Sequence, residues 1–458
     1  MEGHVQPPRC GLSKDAARPL RVIICGGGLG GLGAAIALRH KGHQVVVLES
    51  ATSLSEIGAG IQIPPNSARV LHDYYDLGEN LRAHVAVPRN IAIKRYATGT
   101  VLGRTALHPH LSEKYGSPYW LIHRADYQRI LYDEAIALGA RVILATSVAS
   151  VDPDKPSIIT TNGTEYLGDV IVGADGIRSK VREFVLPDYN NFQPSPTANC
   201  AYRATVSAEL MSIDHDTAEL ISDPNSNAWI GHRRHIMAYP IRGGALYNLV
   251  MCHPGQAKPG VWNEPGDIQK MRETYANFDP LIRKVIDKVT TCLRWTLADL
   301  PPLPTWLSQS GKVVLIGDAA HAMVPFLAQG ASMSIEDGPA LAECLSRVRE
   351  IEDVPKYLRV FEQLRKPRCE KMQLCSRLNG QMWHLPDGPQ QEERDKGFER
   401  DDFARGESEV EQEQGENVNP WSDLNFQPWL FGYDVVTDVR RVLDQMEEQS
   451  ISSYRANI

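Results

Sequence analysis

Residues 21–49 constrain this chain more than any other stretch, because they read as strand, Gly-rich turn, helix, turn and strand in immediate succession. Val22 to Cys25 is apolar and uncharged on both faces, as a central strand of a covered parallel sheet requires. Gly26, Gly28 and Gly31 then fall on the G-x-G-x-x-G spacing. The first glycine makes the tight turn, the second admits a pyrophosphate to the backbone, and the third lets helix and strand pack closely. Val45 to Leu48 forms the next strand, and Glu49 ends it where a carboxylate can accept hydrogen bonds from an adenosine ribose. This is the pattern of a dinucleotide site. A bare strand-to-helix turn would leave the acid at Glu49 without a purpose.

The rest of the composition narrows the class. A chain of 458 residues with 42% hydrophobic and 23% charged residues can bury a large core, in two domains or one elaborated domain. Its net charge of −8 offers no basic footprint for nucleic acid. The eight cysteines contain no C-x-x-C pair, so neither a zinc site nor a disulfide framework is suggested, and reduced thiols in the cytoplasm are expected. Met1 to Leu20 lacks an apolar core and reads as a flexible lead-in. The uncharged run Val22 to Leu38 is too short and Gly-rich to span a bilayer, so no transmembrane segment is expected.

Along the chain, Glu56 to Asn66 is a loop whose glycines, Gly58 and Gly60, permit close backbone approach to a ligand. Trp120 to His123 predicts a strand running into a helix from Tyr127 to Leu138, which puts Arg124 near a helix N-terminus, where anions are favoured. Arg141 to Val151 and Ser157 to Thr161 alternate like strands, and Asp169 to Gly173 is a buried strand leading into Ala174-Asp175-Gly176. From Asn199 to Val250 short alternating segments predict an antiparallel sheet. Asp267 to Val289 reads as helical. Lys312 to Ile316 is a second buried strand, ending in Gly317-Asp318, with helices over Ser332 to Val348 and Val354 to Leu378. Glu392 to Asn419 is polar enough to be solvated or mobile. Trp421, Phe426, Trp429, Phe431 and Tyr433 form an aromatic cluster expected to dock on the body, and Val435 to Met446 is a closing helix.

Taken together, the fingerprint at Gly26, Gly28 and Gly31, the pair Asp175-Gly176, the pair Gly317-Asp318 and Arg124 resemble the single-component FAD-dependent aromatic hydroxylases. That family includes salicylate hydroxylase and many fungal natural-product monooxygenases, and the resemblance runs from about Val22 to Leu378. It implies an α/β fold: a Rossmann-like FAD-binding domain over 21–190 and 290–380, an inserted antiparallel-sheet substrate domain over 191–289, and a helical C-terminal part over 381–458. In the family Asp175 would lie near the FAD and nicotinamide pyrophosphates, and Asp318 would hold the ribityl chain. Asp318 also has a physical warrant of its own, since a carboxylate at the end of a buried parallel strand faces the crevice where α/β sheets bind ligands. Gly330 and Ala331 open a helix whose backbone N–H groups can face the flavin pyrimidine edge and stabilise the charge of reduced flavin. Asp318 is read as functional and His321 as an ordinary buried imidazole.

The resemblance further implies tightly bound FAD, transient NADH or NADPH (no second fingerprint exists), O2, and oxygen transfer to an aromatic small molecule through a flavin C4a-hydroperoxide. Arg203 and Tyr239 match positions that orient substrate in fungal relatives; the plainer readings are a surface ion pair for Arg203 and core packing for Tyr202. Some phenol hydroxylases of the family carry a His four residues before the Tyr of this strand, where this chain has Ala198. That departure favours an indole, oxygenated in secondary metabolism, over a phenol or salicylate-type ring. A reading of another class is a non-catalytic carrier on an FAD-type fold, which Asp175 and Asp318 argue against and a colourless protein would restore.

Overall fold

A computed structural model describes residues 15–54, 59–255, 263–399 and 417–456. The lead-in up to residue 14, the loop glycine Gly58, Cys10 and most of the acidic stretch lie outside them.

Strand Arg21–Cys25 sits at the centre of a five-stranded parallel sheet. Its neighbours are Gln44–Leu48 on one side and Val170–Gly173 on the other, with Arg141–Ile143 and Val313–Leu315 at the edges. Val22, Ile23, Ile24 and Cys25 are all buried, which is why this strand lacks polar alternation. The region expected to alternate over Arg141 to Val151 splits, because only its first part joins this sheet. Val148–Asp152 belongs with Ser157–Thr160 and Glu165–Leu167 in a three-stranded meander.

The second large sheet has eight strands, running from Asn263–Pro265 through Leu293–Asp299, Ser195–Ser207, Leu246–Pro254, Arg234–Ile241, Ser226–Gly231 and Asn90–Arg95 to Val101–Ala106. It reaches outside 191–289 at both ends: the strands Asn90–Arg95 and Val101–Ala106 come from before it, and Leu293–Asp299 lies past residue 289. Their pairing is antiparallel except between Ser226–Gly231 and Asn90–Arg95, which run parallel. One face packs on helices that carry Met271 and Ile282 over Tyr202, Trp229 and Tyr247. Tyr202 is therefore core, as its plainer reading had it. The helical reading of Asp267 to Val289 breaks into Ile268–Thr274 and Pro280–Asp287, because Asp279 caps the second helix and Pro280 opens it.

Two helices cross between the sheets and the C-terminal part. Gly330–Ser346 places Glu336 and Asp337, both fully buried, opposite Arg365 and Arg368 on the long helix Val354–Trp383. Arg365 donates to Asp337 at 2.9 Å and to Glu336 at 2.6 Å, and Arg368 donates to both oxygens of Glu336. Burial raises both carboxyls, and the adjacent cations more than reverse it, holding Glu336 and Asp337 below the usual carboxylate range.

The same cations anchor the chain beyond residue 416. Arg368 donates to the Trp429 and Leu430 carbonyls and lies over the Trp429 and Tyr433 rings, while Arg69 donates to the Tyr433 carbonyl. Trp421 and Phe431 are buried, so the aromatic cluster docks as expected. The stretch from Glu392, expected to be solvated, begins instead inside the helix Pro389–Glu399. Gln391, Arg394 and Phe398 share one helical face, and Phe398 is fully buried, which supplies an anchor that composition alone concealed.

Removing one member of a buried ion cluster strands its partners in low dielectric. Arg368→Ala is expected to lower the unfolding free energy by about 3–5 kcal/mol, read as a lower urea midpoint, because Glu336 keeps its charge and loses two of its donors.

Candidate functional site

The cleft lies between the C-terminal end of the parallel sheet and the open face of the eight-stranded sheet. Its first wall is backbone. Gly26 has a φ of +108°, and a side chain there would strike the Ala174 carbonyl; a methyl group on Gly31 would sit 2.0 Å from the Gly26 oxygen. Helix Leu29–Lys41 starts at Gly28 with neither a side-chain cap nor an acid in its first turn, so its N-terminal N–H groups face the cleft unclaimed. Glu49 braces this turn from behind, accepting the Gly27 N–H at 2.6 Å and the Ala51 N–H at 2.7 Å. A carboxylate has further lone pairs, so a ribose can still bond there.

Asp175 takes a supporting position too. It accepts from the Ser179 hydroxyl and from the Lys180 and Val181 N–H groups, capping the turn before helix Val181–Val185. Burial pushes its carboxyl up, against the pull of those hydrogen bonds. Its neighbour Gly176 lines the cleft.

The second wall follows strand Val313–Leu315. Gly317, at a φ of +58°, is held by its N–H bond to buried Asp337, and this turn delivers the exposed Asp318 carboxylate into the cleft. Gly317, not Asp318, is the N-cap of the short helix Asp318–His321. His321 points away and bonds Asp337 at 2.7 Å; burial disfavours its charge, but Cys369 and Asp337 raise its pKa well above the ordinary value. Helix Gly330–Ser346 has no side-chain cap and no acid in its first turn, and Gly330 and Ala331 present its N-terminus to the cleft. Arg124, which starts helix Arg124–Ala137, lines the same space.

The third wall is the eight-stranded sheet. Strand register sets Arg203, Val250 and Met237 in one row across three strands. Since side chains alternate, His235, Met237 and Tyr239 share the cleft face of their strand. Arg203 also lies over the Trp295 ring at 5.5 Å. Burial raises the Tyr239 phenol, so it is a neutral donor at physiological pH, although Arg203 partly offsets the shift. Gly60 closes the loop onto this wall: its N–H donates to Asn248 at 2.6 Å, and a methyl group there would sit 2.6 Å from the Tyr239 ring. Phe326, Trp383 and Trp421 complete the enclosure.

Among the predicted site residues, the cleft thus gathers Gly28, Gly60, Arg124, Arg203, Tyr239, Asp318, Gly330 and Ala331, with Gly26, Gly31, Glu49 and Asp175 behind it as supports. Sequence reasoning missed His235, Met237, Phe326, Trp383 and Trp421. His235 and Met237 carried a usable signal, being four and two residues before Tyr239 on one strand. Chemically, the cleft offers two uncapped helix N-termini for anionic groups, a carboxylate for hydroxyls, and an apolar chamber with a cation and a phenol.

A family model described as an FAD binding domain matches residues 19–374. The chain belongs to the FAD-dependent aromatic hydroxylases. It is an enzyme, an FAD-dependent monooxygenase, and the family draws its electrons from NADH or NADPH. It is 36% identical over 420 residues to the FAD-dependent monooxygenase OpS4 of Beauveria bassiana, covering 91% of this chain and 96% of that protein. It is 33% identical to a 3-hydroxybenzoate 6-hydroxylase of Polaromonas naphthalenivorans, over 81% of this chain and 90% of the other. A salicylate hydroxylase in its substrate complex superposes with a TM-score of 0.72 at 23% identity, covering 92% of this chain and 97% of that one, a likeness of fold. Among the described residues no helix is long and apolar enough to cross a membrane.

The residues fit FAD: a Gly cradle that any Cβ would fill, two open helix N-termini, and an uncommitted carboxylate. Asp318→Ala is expected to fold and purify depleted in FAD, its affinity lower by about 10- to 150-fold for one lost charge-assisted hydrogen bond. Flavin absorbance per protein and equilibrium dialysis check this, and normal occupancy would remove Asp318 from the site.

Proposed function

We propose that this enzyme spends NADH or NADPH and O2 to place one oxygen atom on an aromatic ring that carries a hydroxyl, in the chemical class of the hydroxybenzoates. The carrying observation is the shared face of Arg203, Met237 and Tyr239 across the cleft from Asp318 and the Gly330–Ser346 N-terminus, which sets one cation and one neutral phenol beside the aromatic side chains Phe326, Trp383 and Trp421. Relatives named for hydroxybenzoates support the ring class. The case for an indole rested on Ala198 standing where a base could have been. An imidazole, His235, faces the cleft from the next strand but one, so that departure no longer separates the two substrates. The aromatic walls Trp383 and Trp421 keep an indole as the second reading.

In this reading Gly28 and the first turn of Leu29–Lys41 would hold the pyrophosphate, Glu49 the ribose, Asp318 the ribityl hydroxyls, and the N–H groups of Gly330 and Ala331 the pyrimidine edge. FAD, when bound, supplies the electron transfer and oxygen activation. The chain's own work is to orient and enclose. Arg203 would hold the ring's developing oxyanion, Tyr239 would donate to its oxygen, and Phe326, Trp383 and Trp421 would keep water from the reacting centre.

Arg203→Ala is expected to keep its FAD and its reduction by NAD(P)H while losing product and releasing more hydrogen peroxide, by about 100-fold in coupled turnover. Arg203→Lys should rescue poorly, since a point charge does not reproduce the guanidinium fork. The check is NAD(P)H consumption, peroxide and product measured together against hydroxybenzoates and indoles. Unchanged coupling in the alanine variant would leave Arg203 a structural residue.

A further inference from the structure

Two groups of side chains among the described residues bring metal-ligand types together, and they differ in whether a cation could enter. In the first, His321, Asp337 and Cys369 are all buried, but Arg365 donates to Asp337 at 2.9 Å and lies 3.7 Å from the Cys369 sulfur. A fixed guanidinium already fills the place of a metal there. In the second, one nitrogen each of His235 and His384 and the sulfur of Cys252 lie within 4.8 Å of one another. Nδ1 of His235 is 2.8 Å from Nε2 of His384. The fold sets this meeting: strand register pairs His235 with Cys252, and side chains of directly paired residues share a face of the sheet. Tyr275 donates to the Cys252 carbonyl at 2.8 Å, and Cys252 packs among Leu297, Val324 and Phe326. His384 arrives from elsewhere, just past the end of helix Val354–Trp383.

We propose that His235, His384 and Cys252 are the ligands of a zinc site that, when filled, inhibits the enzyme. Two imidazole nitrogens and a thiolate are a donor set that zinc takes, with water as the fourth ligand. Zn–N bonds of about 2.0–2.1 Å at a tetrahedral angle put the two nitrogens about 3.3 Å apart, so the rings must part by about half an ångström. His384, half-buried and beyond the helix end, is free to make that shift and gives the ion its way in from solvent. Zinc takes the place of the hydrogen between the rings, and each imidazole keeps its one proton on its outer nitrogen. The Cys252 S–H bond breaks and its proton goes to water. No electron moves, and the filled site carries one net positive charge.

The surroundings leave the ligands ready. Burial, then Arg394, His232 and Arg233, lower the His384 pKa to about 4, and burial with His384 beside it lowers that of His235 well below the ordinary value, so both rings hold a free lone pair at physiological pH. Arg394, the first of those cations, is bonded to Asp395 at 2.6 Å, which offsets its charge toward an incoming ion. Burial raises the Cys252 thiol, and coordination reverses this, because a thiol bound to zinc is deprotonated outright. Filling the site would pin the strand of Met237 and Tyr239 to the chain after Trp383 and set a cation and its water beside the chamber that His235 lines. That consequence is the same for a hydroxybenzoate and for an indole.

The test titrates the FAD-loaded enzyme, kept reduced, with zinc against a chromophoric chelator. His384→Ala and Cys252→Ser, shown folded by their flavin content, should each weaken zinc binding at least about 100-fold, since loss of an outer-shell partner alone costs about 10- to 100-fold. His215→Ala removes an exposed imidazole beside Glu219 and should leave the affinity unchanged. Cobalt(II) in place of zinc should give the d–d bands of a tetrahedral site to the red of the flavin, and Cys252→Ser should lose them. Zinc affinity in the His384 and Cys252 variants equal to that of wild type would put the ion elsewhere and overturn the site, as would a wild type that binds none. With zinc bound, product formation from whichever hydroxybenzoate or indole the enzyme turns over should fall at least about 10-fold and return when EDTA is added. Unchanged turnover with the site filled would overturn the inhibitory role.

Discussion

The structure depends most on a group of charges that never meets water. Glu336 and Asp337 lie side by side in a buried helix, matched by Arg365, Arg368 and His321. Charges in such surroundings are tolerable only when each hydrogen bond is made, so the cluster admits one arrangement of the segments that supply it. Those segments are the ones that shape the cleft. Asp337 holds the Gly317 N–H and so aims Asp318; Glu336 holds Asn66, which also bonds Gln329, the residue before the helix at Gly330. Arg368 reaches the Trp429 and Leu430 carbonyls and seats the aromatic segment that includes Trp421. A site with three walls is thereby indexed to one buried network.

The cofactor half was legible because its physics is local. Gly26, Gly28 and Gly31, the strands on either side and the acid at Glu49 occur within 29 consecutive residues, and Asp318 follows directly from a buried strand. Arg203 and Tyr239 were chosen by resemblance, and the register across three strands sets them on one face. What escaped was nonlocal. Sequence shows that Glu336 and Arg365 are charged residues in two helices; it does not show that they bond each other across 29 positions. The strands Asn90–Arg95 and Val101–Ala106 were hidden because Gly103, Lys94 and Arg104 blur their alternation, and only the neighbouring strand Ser226–Gly231 fixes them.

The polar stretch after residue 389 shows the converse error. Average composition predicted solvation, yet a single fully buried Phe398, with Arg394 donating to the Met382 and Trp383 carbonyls, is enough to dock a helical turn. That helix in turn sets the Arg394 cation beside His384. His384, which local sequence does not single out, thereby sits beside a cation and against His235 of the cleft wall.

The order in which the walls occur along the chain has a consequence for assembly. Every group that fits the flavin, from Gly28 to Ala331, precedes Trp383, His384 and Trp421 in the direction of synthesis. A growing chain on the ribosome therefore has its flavin cradle before it has the wall that shuts out water. The chamber is sealed only when the segment carrying Trp421 folds back onto Arg368, and substitutions in that late segment can reshape the chamber's outer wall without altering the cradle made earlier.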